Sequence, residues 1–180
     1  LKTFSLQEDK CLTVYNGYDS DLWDKIEKES EINDNGKNKD KFTISYLSSN
    51  ISFKKGTPRD PTNLIKAVSN LNNSNNVLLN IIGCIDKPNN NEFSNYDFDL
   101  NLSLFVSHEE ALKVMNESDI VVILSTEKID SKYTLTGKLF DCIRSGKFIL
   151  GIANSEDVNY CTMIDKLDIG KSCVNEINEI

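Results

Sequence analysis

The pattern that decides the fold lies in residues 120–152, IVVILSTEKIDSKYTLTGKLFDCIRSGKFILGI. Its two apolar runs, Ile120–Leu124 and Phe148–Ile152, have the length and continuous hydrophobicity of strands that are buried on both faces of a parallel sheet. Between them a polar stretch leads into a predicted helix at Thr136–Ser145, and Gly146 follows where a left-handed helix cap is favoured. The pattern therefore predicts a strand, a helix and a second strand of an α/β protein.

The same alternation continues on both sides of this unit. Further strands are predicted at Phe42–Leu47, Val77–Gly83 and Lys171–Val174, and further helices at Asp19–Glu29, at Pro61–Leu71, from Ser107 onward and from Ser155 to Asp165. Less regular segments are a β-prone run at Cys11–Tyr15, loops at Ser30–Lys41 and Cys84–Asn101, and an apolar piece at Leu102–Val106. We predict a Rossmann-like, three-layer α/β fold, a parallel sheet with helices on both faces, in which a ligand binds beyond the carboxyl ends of the strands.

Length and composition describe one soluble globular domain, with 180 residues of which 39% are hydrophobic and 27% charged. The formal net charge of -8 disfavours a nucleic-acid partner, because a polyanion would be repelled over most of the surface. The longest apolar runs have the length of strands, whereas a membrane-spanning helix needs roughly 20 residues. We therefore expect no transmembrane segment.

The cysteines and the single histidine follow neither a disulfide nor a metal pattern. The five cysteines are widely spaced and lie mostly in apolar stretches, so we expect reduced core thiols at Cys11, Cys84, Cys142, Cys161 and Cys173. His108 lies inside the capping-box sequence Ser107-His108-Glu109-Glu110, which favours a structural role. No cluster of His, Cys and acidic residues has metal-ligand spacing, so we expect no metal and no cofactor.

A candidate anion site lies at the start of the helix predicted from Thr136. The two common glycine-rich phosphate motifs are missing, but Tyr133-Thr134-Leu135-Thr136-Gly137-Lys138 brings hydroxyls, a glycine and a lysine to a helix N-terminus. Asp141 follows about one turn later, where it can accept hydrogen bonds from ligand hydroxyls, and Arg59 offers a fixed charge suited to a diphosphate. An ordinary capped helix with a solvated lysine, a surface carboxylate at Asp141 and an Arg59–Asp60 pair remain the alternative interpretation.

Four fragments, taken in order, resemble a known enzyme family. They are Val14–Asp19, Arg59–Ala67, Glu117–Val122 and Thr136–Leu150, which are similar to the hinge sequence, first helix, strand start and donor-binding helix of that family. The family is the retaining, group 1 type glycosyltransferases of the GT-B fold, and the resemblance is to their C-terminal, donor-binding half. Two positions depart from its pattern, since Asp141 and Tyr133 stand where the family has two glutamates.

The resemblance implies a nucleoside diphosphate sugar as the donor substrate and a role for each residue. The pyrophosphate would be bound by Arg59, Lys138, Thr136 and Gly137, the ribose by Asp141, and candidate donor-loop residues are Ser48, Ser49, Tyr133 and Thr134. The family needs no metal for this chemistry, and no complete catalytic set is expected in this chain. The full-length protein is expected to be a hexosyltransferase, with UDP as one candidate carrier, acting in bacterial polysaccharide or glycoconjugate synthesis.

The ends of the sequence suggest a domain cut from a longer chain, because it begins at Leu1 and its last predicted strand is followed by few residues. We expect residues 1–180 to form a single nucleotide-sugar-binding domain whose N-terminal, acceptor-binding partner domain is absent. The isolated domain is then expected to be inactive. The resemblance further implies a cytoplasmic protein, with any contact to the inner membrane made through the missing half.

Two other functions fit the same sequence. One is a nucleotide-sugar epimerase of related fold, although that class uses additional acids and histidines in its cleft and His108 is the only histidine here. The other is a non-catalytic α/β interaction module in which Lys138 and Asp141 are surface residues. A thermal-shift screen with UDP, GDP and ADP distinguishes a nucleotide-binding protein from such a module.

Overall fold

The computed structural model of the protein describes residues 14–33, 40–86, 93, 95–126, 135–155 and 157–180. Within these residues the strands are β1 (Phe42–Ile51), β2 (Val77–Cys84), β3 (Asp99–Ser103), β4 (Ile120–Ser125), β5 (Phe148–Ala153) and β6 (Gly170–Val174). The helices are α1 (Ser20–Asn33), α2 (Thr62–Ser69), α3 (His108–Glu117), α4 (Gly137–Arg144) and α5 (Asn159–Lys166). Ser74–Asn76 adds one short 3₁₀ turn before β2.

The strands form one parallel sheet in the order β3-β2-β1-β4-β5-β6. The predicted Rossmann-like fold class is therefore confirmed, and β4 lies in the interior of the sheet between β1 and β5. The order reverses between β1 and β4, where Ile44 pairs with Ile120 and Tyr46 with Val122. In open α/β sheets a crevice forms at such a reversal, outside the carboxyl ends of the strands.

The two faces of the sheet are covered differently. On one face a core cluster joins buried residues of α1, α3, α4 and α5 to the sheet, among them Trp23, Leu112, Leu139 and Ile164. On the other face α2 packs against the sheet together with a row of aromatic rings, Phe53, Phe93, Tyr96 and Phe98, with neighbouring centroids 5.5 to 5.9 Å apart. Aromatic side chains thus cover sheet surface beside α2.

Several local signals act as the sequence predicts. Ser107 Oγ accepts the amide of Glu110 at 3.2 Å while the Ser107 amide donates to the Glu110 carboxylate at 2.8 Å, so α3 begins with a full capping box. Gly146 has a φ of +65°, the left-handed conformation that ends α4. Both signals are local, and both fix where a helix meets the sheet.

The region around β3 was predicted wrongly. Residues 99–101 were assigned to a loop and Leu102–Val106 to an apolar piece, but the strand runs from Asp99 to Ser103, and Leu104 and Phe105 are exposed. Among the described strands, β3 lies at the edge and pairs with β2 alone, so polar residues are tolerated in it. Asn101 even uses its side chain for the pairing, donating to Asn80 Oδ1 at 3.0 Å.

Element ends also differ from prediction at both ends of the chain. Helix α1 continues to Asn33, past its predicted end at Glu29, and Ser30 in this added turn accepts a hydrogen bond from Asn116 of α3 at 2.9 Å. Helix α5 begins at Asn159 and not at Ser155. Of the β-prone run Cys11–Tyr15, residues 11–13 lie outside the described residues, and Val14 and Tyr15 form no strand and are exposed.

Cys84, Cys142, Cys161 and Cys173 are buried and unbridged, as expected for core thiols, and Cys11 lies outside the described residues. In the part of the chain that the structure describes, no helix combines the length and the apolar composition needed to cross a membrane.

Candidate functional site

A cavity of about 230 Å³ opens at the point where the strand order reverses. We call it the switch-point cavity. It is lined by the carboxyl ends of β1 and β4, by the start of α4 and by residues that flank them: Tyr46, Leu47, Ser48, Ser49, Arg59, Ile123, Leu124, Ser125, Thr136, Lys138 and Tyr160. Five residues predicted from the sequence, namely Ser48, Ser49, Arg59, Thr136 and Lys138, are therefore brought to one cavity.

Lys138 enters this cavity from the first turn of α4. Its ammonium group is largely buried and donates a hydrogen bond to the backbone carbonyl of Leu47 at the end of β1. The pKa of Lys138 is lowered to about 8, chiefly by burial and to a smaller extent by the nearby Arg59 cation. The site therefore holds a desolvated amine whose charge an anion would stabilise.

Arg59 forms part of the opposite wall. Its guanidinium donates a hydrogen bond to the backbone carbonyl of Ser49 at 2.8 Å. This bond holds the Arg59 side chain against the last residues of β1. The side chain is half-buried and lies before α2, whose first residue is Thr62. Two cations, from sequence positions 79 residues apart, thus face the same space.

The N-terminus of α4 is the third component of the cavity. Thr136 is the N-cap residue, with extended backbone and no hydrogen bond from its side chain to the helix, and Gly137 is the first helical residue. The first amides of a helix have no partner within the helix, so they point their N–H groups toward whatever lies before it. Gly137 itself is exposed, and a β-carbon at that position would lie 3.8 Å from the Asn16 side-chain amide.

A second cavity, of about 320 Å³, lies next to the first and shares Leu47, Ser48, Ser49 and Lys138 with it. We call it the apolar groove, because most of its other lining comes from Ile82, Gly83, Phe105, Val106, Ala111 and Met115, together with Ser107, His108 and Asp141. A compartment that carries two cations and a mostly apolar compartment therefore adjoin, with Lys138 at their boundary.

Gly83 shapes this boundary. Its φ is +103°, and a β-carbon there would lie only 1.7 Å from the backbone oxygen of Ser48. The pairing of β1 with β2 is irregular between Leu47 and Ile51, and Asn50 adopts a φ of 66° in this bulge. Only glycine permits so close an approach, so Gly83 allows the end of β1 to bend over β2 and form the shared wall.

Asp141 lies in the apolar groove and not in the switch-point cavity. Its Oδ1 accepts a hydrogen bond from the indole Nε1 of Trp23 at 3.2 Å. The sequence pattern held no signal for this contact, because Trp23 lies 118 residues away from Asp141.

Two tyrosines of the cavity were also missed. The Tyr46 hydroxyl donates to the Leu124 carbonyl at 3.3 Å, and the Tyr160 hydroxyl donates to the Ile152 carbonyl at 2.6 Å. Burial raises the pKa of both hydroxyls far above the usual range, so both stay neutral. Both tyrosines line the cavity as uncharged side chains, and their hydroxyls donate to carbonyls of β4 and β5. The charged side chains in the lining of the cavity are therefore Arg59 and Lys138.

The remaining predicted residues are placed as follows. His108 is the first residue of α3, with an exposed side chain that borders the apolar groove, whereas the capping box is made by Ser107 and Glu110. Tyr133 and Thr134 lie outside the described residues. A search of the described residues finds no group of three or more His, Cys, Asp or Glu side chains arranged to hold a metal ion.

Two solved glycosyltransferase structures share this fold. WaaG, a glycosyltransferase involved in lipopolysaccharide biosynthesis, superposes with a TM-score of 0.61 and 14% identity over 96% of this chain and 45% of its own. The glycotransferase of kitacinnamycin superposes with a TM-score of 0.50 and 12% identity over 80% of this chain and 33% of its own. The chain thus spans less than half the length of either protein. No protein-family model and no curated protein matches the sequence.

Proposed function

We propose that this chain is the donor-binding half of a glycosyltransferase and that it binds a nucleoside diphosphate sugar. The observation that carries the proposal is the convergence of Arg59, Lys138 and the N-terminus of α4 on one cavity at the carboxyl edge of the sheet. The likeness in fold to two glycosyltransferases supports the same assignment. The acceptor would be bound by a part of the protein that this chain does not contain.

The switch-point cavity suits a diphosphate because its charges come from three directions. The guanidinium of Arg59 can bind phosphate oxygens with two donors, whereas Lys138 acts as a compact point charge. The amides at the start of α4 add the positive end of the helix dipole, which contributes about 0.3 to 1 kcal/mol toward a bound anion and up to about 2 kcal/mol in a partly buried site.

The apolar groove suits the nucleoside. Asp141 offers a carboxylate for ribose hydroxyls, and the apolar lining from Ile82, Val106 and Met115 matches the faces of a base better than it matches phosphate. Because Lys138 lies at the boundary, a diphosphate in one compartment and its nucleoside in the other would both remain within reach of it.

In the transfer, the bond between the sugar's anomeric carbon and the diphosphate oxygen breaks, and a bond to an acceptor oxygen forms. Negative charge grows on the leaving diphosphate. Positive groups that are already in place stabilise this charge more in the transition state than in the ground state, and removing one such group costs about 10²- to 10³-fold in rate in other enzymes. Arg59, Lys138 and the α4 amides would have this role here.

The proposal is tested by calorimetry with UDP, GDP and ADP. At least one nucleoside diphosphate should bind, and the Arg59→Ala, Lys138→Ala double variant should weaken it by about 2 to 6 kcal/mol, twice the range of about 1 to 3 kcal/mol for one hydrogen bond to a charged group. Lys171→Ala removes an exposed lysine of β6 and is the matched control, which should bind like the wild type. Equal affinity for the wild type and the double variant contradicts the proposal.

One observation favours a second candidate, the non-catalytic α/β module. Arg59 donates to the backbone carbonyl of Ser49, and Lys138 donates to that of Leu47. Both side chains can therefore also serve a structural role, which is to stabilise the bulged end of β1. On that interpretation the double variant loses stability, and the wild-type protein binds none of the three nucleotides.

A further inference from the structure

Trp23 connects α1 to the residue that we assign to the ribose. The indole is fully buried, and its only polar atom, Nε1, donates to Oδ1 of Asp141 at 3.2 Å. Indole is a donor only, so this contact cannot reverse its direction. A rigid side chain of α1 therefore holds one oxygen of a carboxylate that belongs to α4.

Arg144 fixes α1 on α4 and so fixes the position of the indole. Its guanidinium reaches both carboxylate oxygens of Glu27, at 2.5 and 2.8 Å, and Asp24 at 3.2 Å. The same guanidinium lies 5.8 Å from the ring centroids of Tyr18 and Trp23. A bidentate ion pair whose guanidinium also stacks on aromatic rings restrains α1 against α4 more than a single exposed ion pair does.

We propose that Trp23 is a positioning residue for nucleoside recognition. By holding Oδ1 of Asp141, the indole fixes the carboxylate in one rotamer and leaves Oδ2 for a ligand hydroxyl in the apolar groove. An Asp141 side chain without this contact would have to be ordered by the ligand, and that ordering reduces affinity. The proposal rests on the proposed function, because it assumes that Asp141 binds the ribose of a nucleoside diphosphate.

A comparison of UDP with inorganic pyrophosphate separates this role from general packing, since only UDP carries a ribose. Trp23→Phe keeps an aromatic ring and removes the N–H, and it should weaken UDP binding roughly 3- to 10-fold while leaving pyrophosphate binding unchanged. In an Asp141→Ala background, which has no side-chain oxygen to accept the indole N–H, the Trp23→Phe change should have no further effect on UDP, because the two residues act as one unit.

Ile26→Ala is the matched control. Ile26 is also fully buried on α1, so its truncation destabilises the same helix without removing a partner of Asp141. The ratio of UDP to pyrophosphate affinity should equal that of the wild type. A shift of this ratio in Ile26→Ala as large as that in Trp23→Phe assigns the effect to packing and overturns the proposal.

Fluorescence of the wild-type protein gives a readout that does not depend on any variant at Trp23. Trp23 is the only tryptophan of the chain, so its emission reports on the contact with Asp141 directly. Saturating UDP should change the emission, pyrophosphate should not, and Asp141→Ala should abolish the response to UDP. Unchanged emission at a UDP concentration that calorimetry shows to be saturating overturns the proposal and leaves the proposed function intact. If calorimetry detects no nucleotide binding at all, the proposed function fails and this inference fails with it.

Discussion

Lys138 should make ligand binding depend on pH by an amount that follows from its surroundings. Burial lowers its pKa to about 8, so about half of the free protein carries a neutral lysine at that pH. A diphosphate beside the amine reverses the shift. The attraction between protonated Lys138 and one unit of negative charge about 4 Å away is about 4 kcal/mol near a protein surface. This attraction exceeds the free energy of about 3 kcal/mol that is needed to return the pKa of Lys138 to its ordinary value of about 10.4. The bound protein should therefore hold a protonated Lys138 between about pH 7 and about pH 9.

The size of the effect follows from these two pKa values. Each binding event should take up about 0.1 proton near pH 7, about 0.5 near pH 8 and about 0.9 near pH 9. Because the ligand prefers the protonated form, the dissociation constant should rise about tenfold between about pH 7 and about pH 9. The ligand's own phosphates add nothing to this change, since their last proton leaves near a pKa of about 6.

Calorimetry measures this uptake when UDP is titrated at about pH 8 in Tris and in HEPES, two buffers with different ionisation enthalpies. The slope of the observed enthalpy against the ionisation enthalpy gives the number of protons. Lys138→Met should bring the slope to zero, whereas the exposed-lysine control Lys171→Met should keep it. Binding without proton uptake in the wild type, or with unchanged uptake in Lys138→Met, would refute the reasoning.

Three further predictions concern stability and reactivity. Lys138→Met should raise the free energy of unfolding by about 1 to 3 kcal/mol near pH 7, where the wild type buries a charged amine. Because the pKa of Lys138 is lower in the folded protein than its unfolded value of about 10.4, the folded protein loses this proton first as the pH rises, and the difference between variant and wild type should vanish between about pH 8 and about pH 10.4. Urea titrations at several pH values measure this difference. Gly83→Ala should lower the free energy of unfolding by more than about 3 kcal/mol, because its β-carbon would clash with the Ser48 carbonyl. The control Gly146→Ala, where φ is also positive but a β-carbon would meet open space, should lower it by about 1 kcal/mol. Equal losses in thermal unfolding would contradict the close approach of β1 and β2. Burial raises the pKa of Cys84 to about 11 and that of Cys142 to about 12, so a disulfide reagent at neutral pH should label both only after denaturation, and fast labelling of either in the native protein contradicts the packing.

The interior strands of the sheet were predictable, and of its two edge strands β6 was predicted whereas β3 was not. Strands β4 and β5 are covered on both faces, so nearly every residue in them is apolar and the pattern is legible. Strand β3 contains Asp99 and Asn101, which an edge strand tolerates because one side faces no neighbour. Hydrophobicity records burial, so it identifies a strand most clearly where burial is complete.

The candidate site shows the same limit in another form. Thr136, Gly137 and Lys138 were predicted because three adjacent residues at a helix start form a local signal. Trp23, Tyr160 and Gly83 were not, since each acts through a partner that the chain reaches only after folding: Asp141, the Ile152 carbonyl and the Ser48 carbonyl. These contacts depend on strand order and register, which sequence patterns do not contain.

The net charge of -8 and the binding of a small polyanion are compatible, because the two act over different distances. Charges that are separated by more than about 8 Å are largely screened at physiological ionic strength, and a diphosphate is shorter than that. Two acids of α1 are paired with cations, Glu29 with Lys25 and Lys113, and Glu27 with Arg144, and no residue of α1 lines the cavity. The field that a diphosphate meets is therefore set by Arg59, Lys138 and the α4 amides, whereas a nucleic acid would extend over the acidic surface beyond them. The same charge distribution that disfavours a long polyanion would thus allow the proposed cavity to bind a short one.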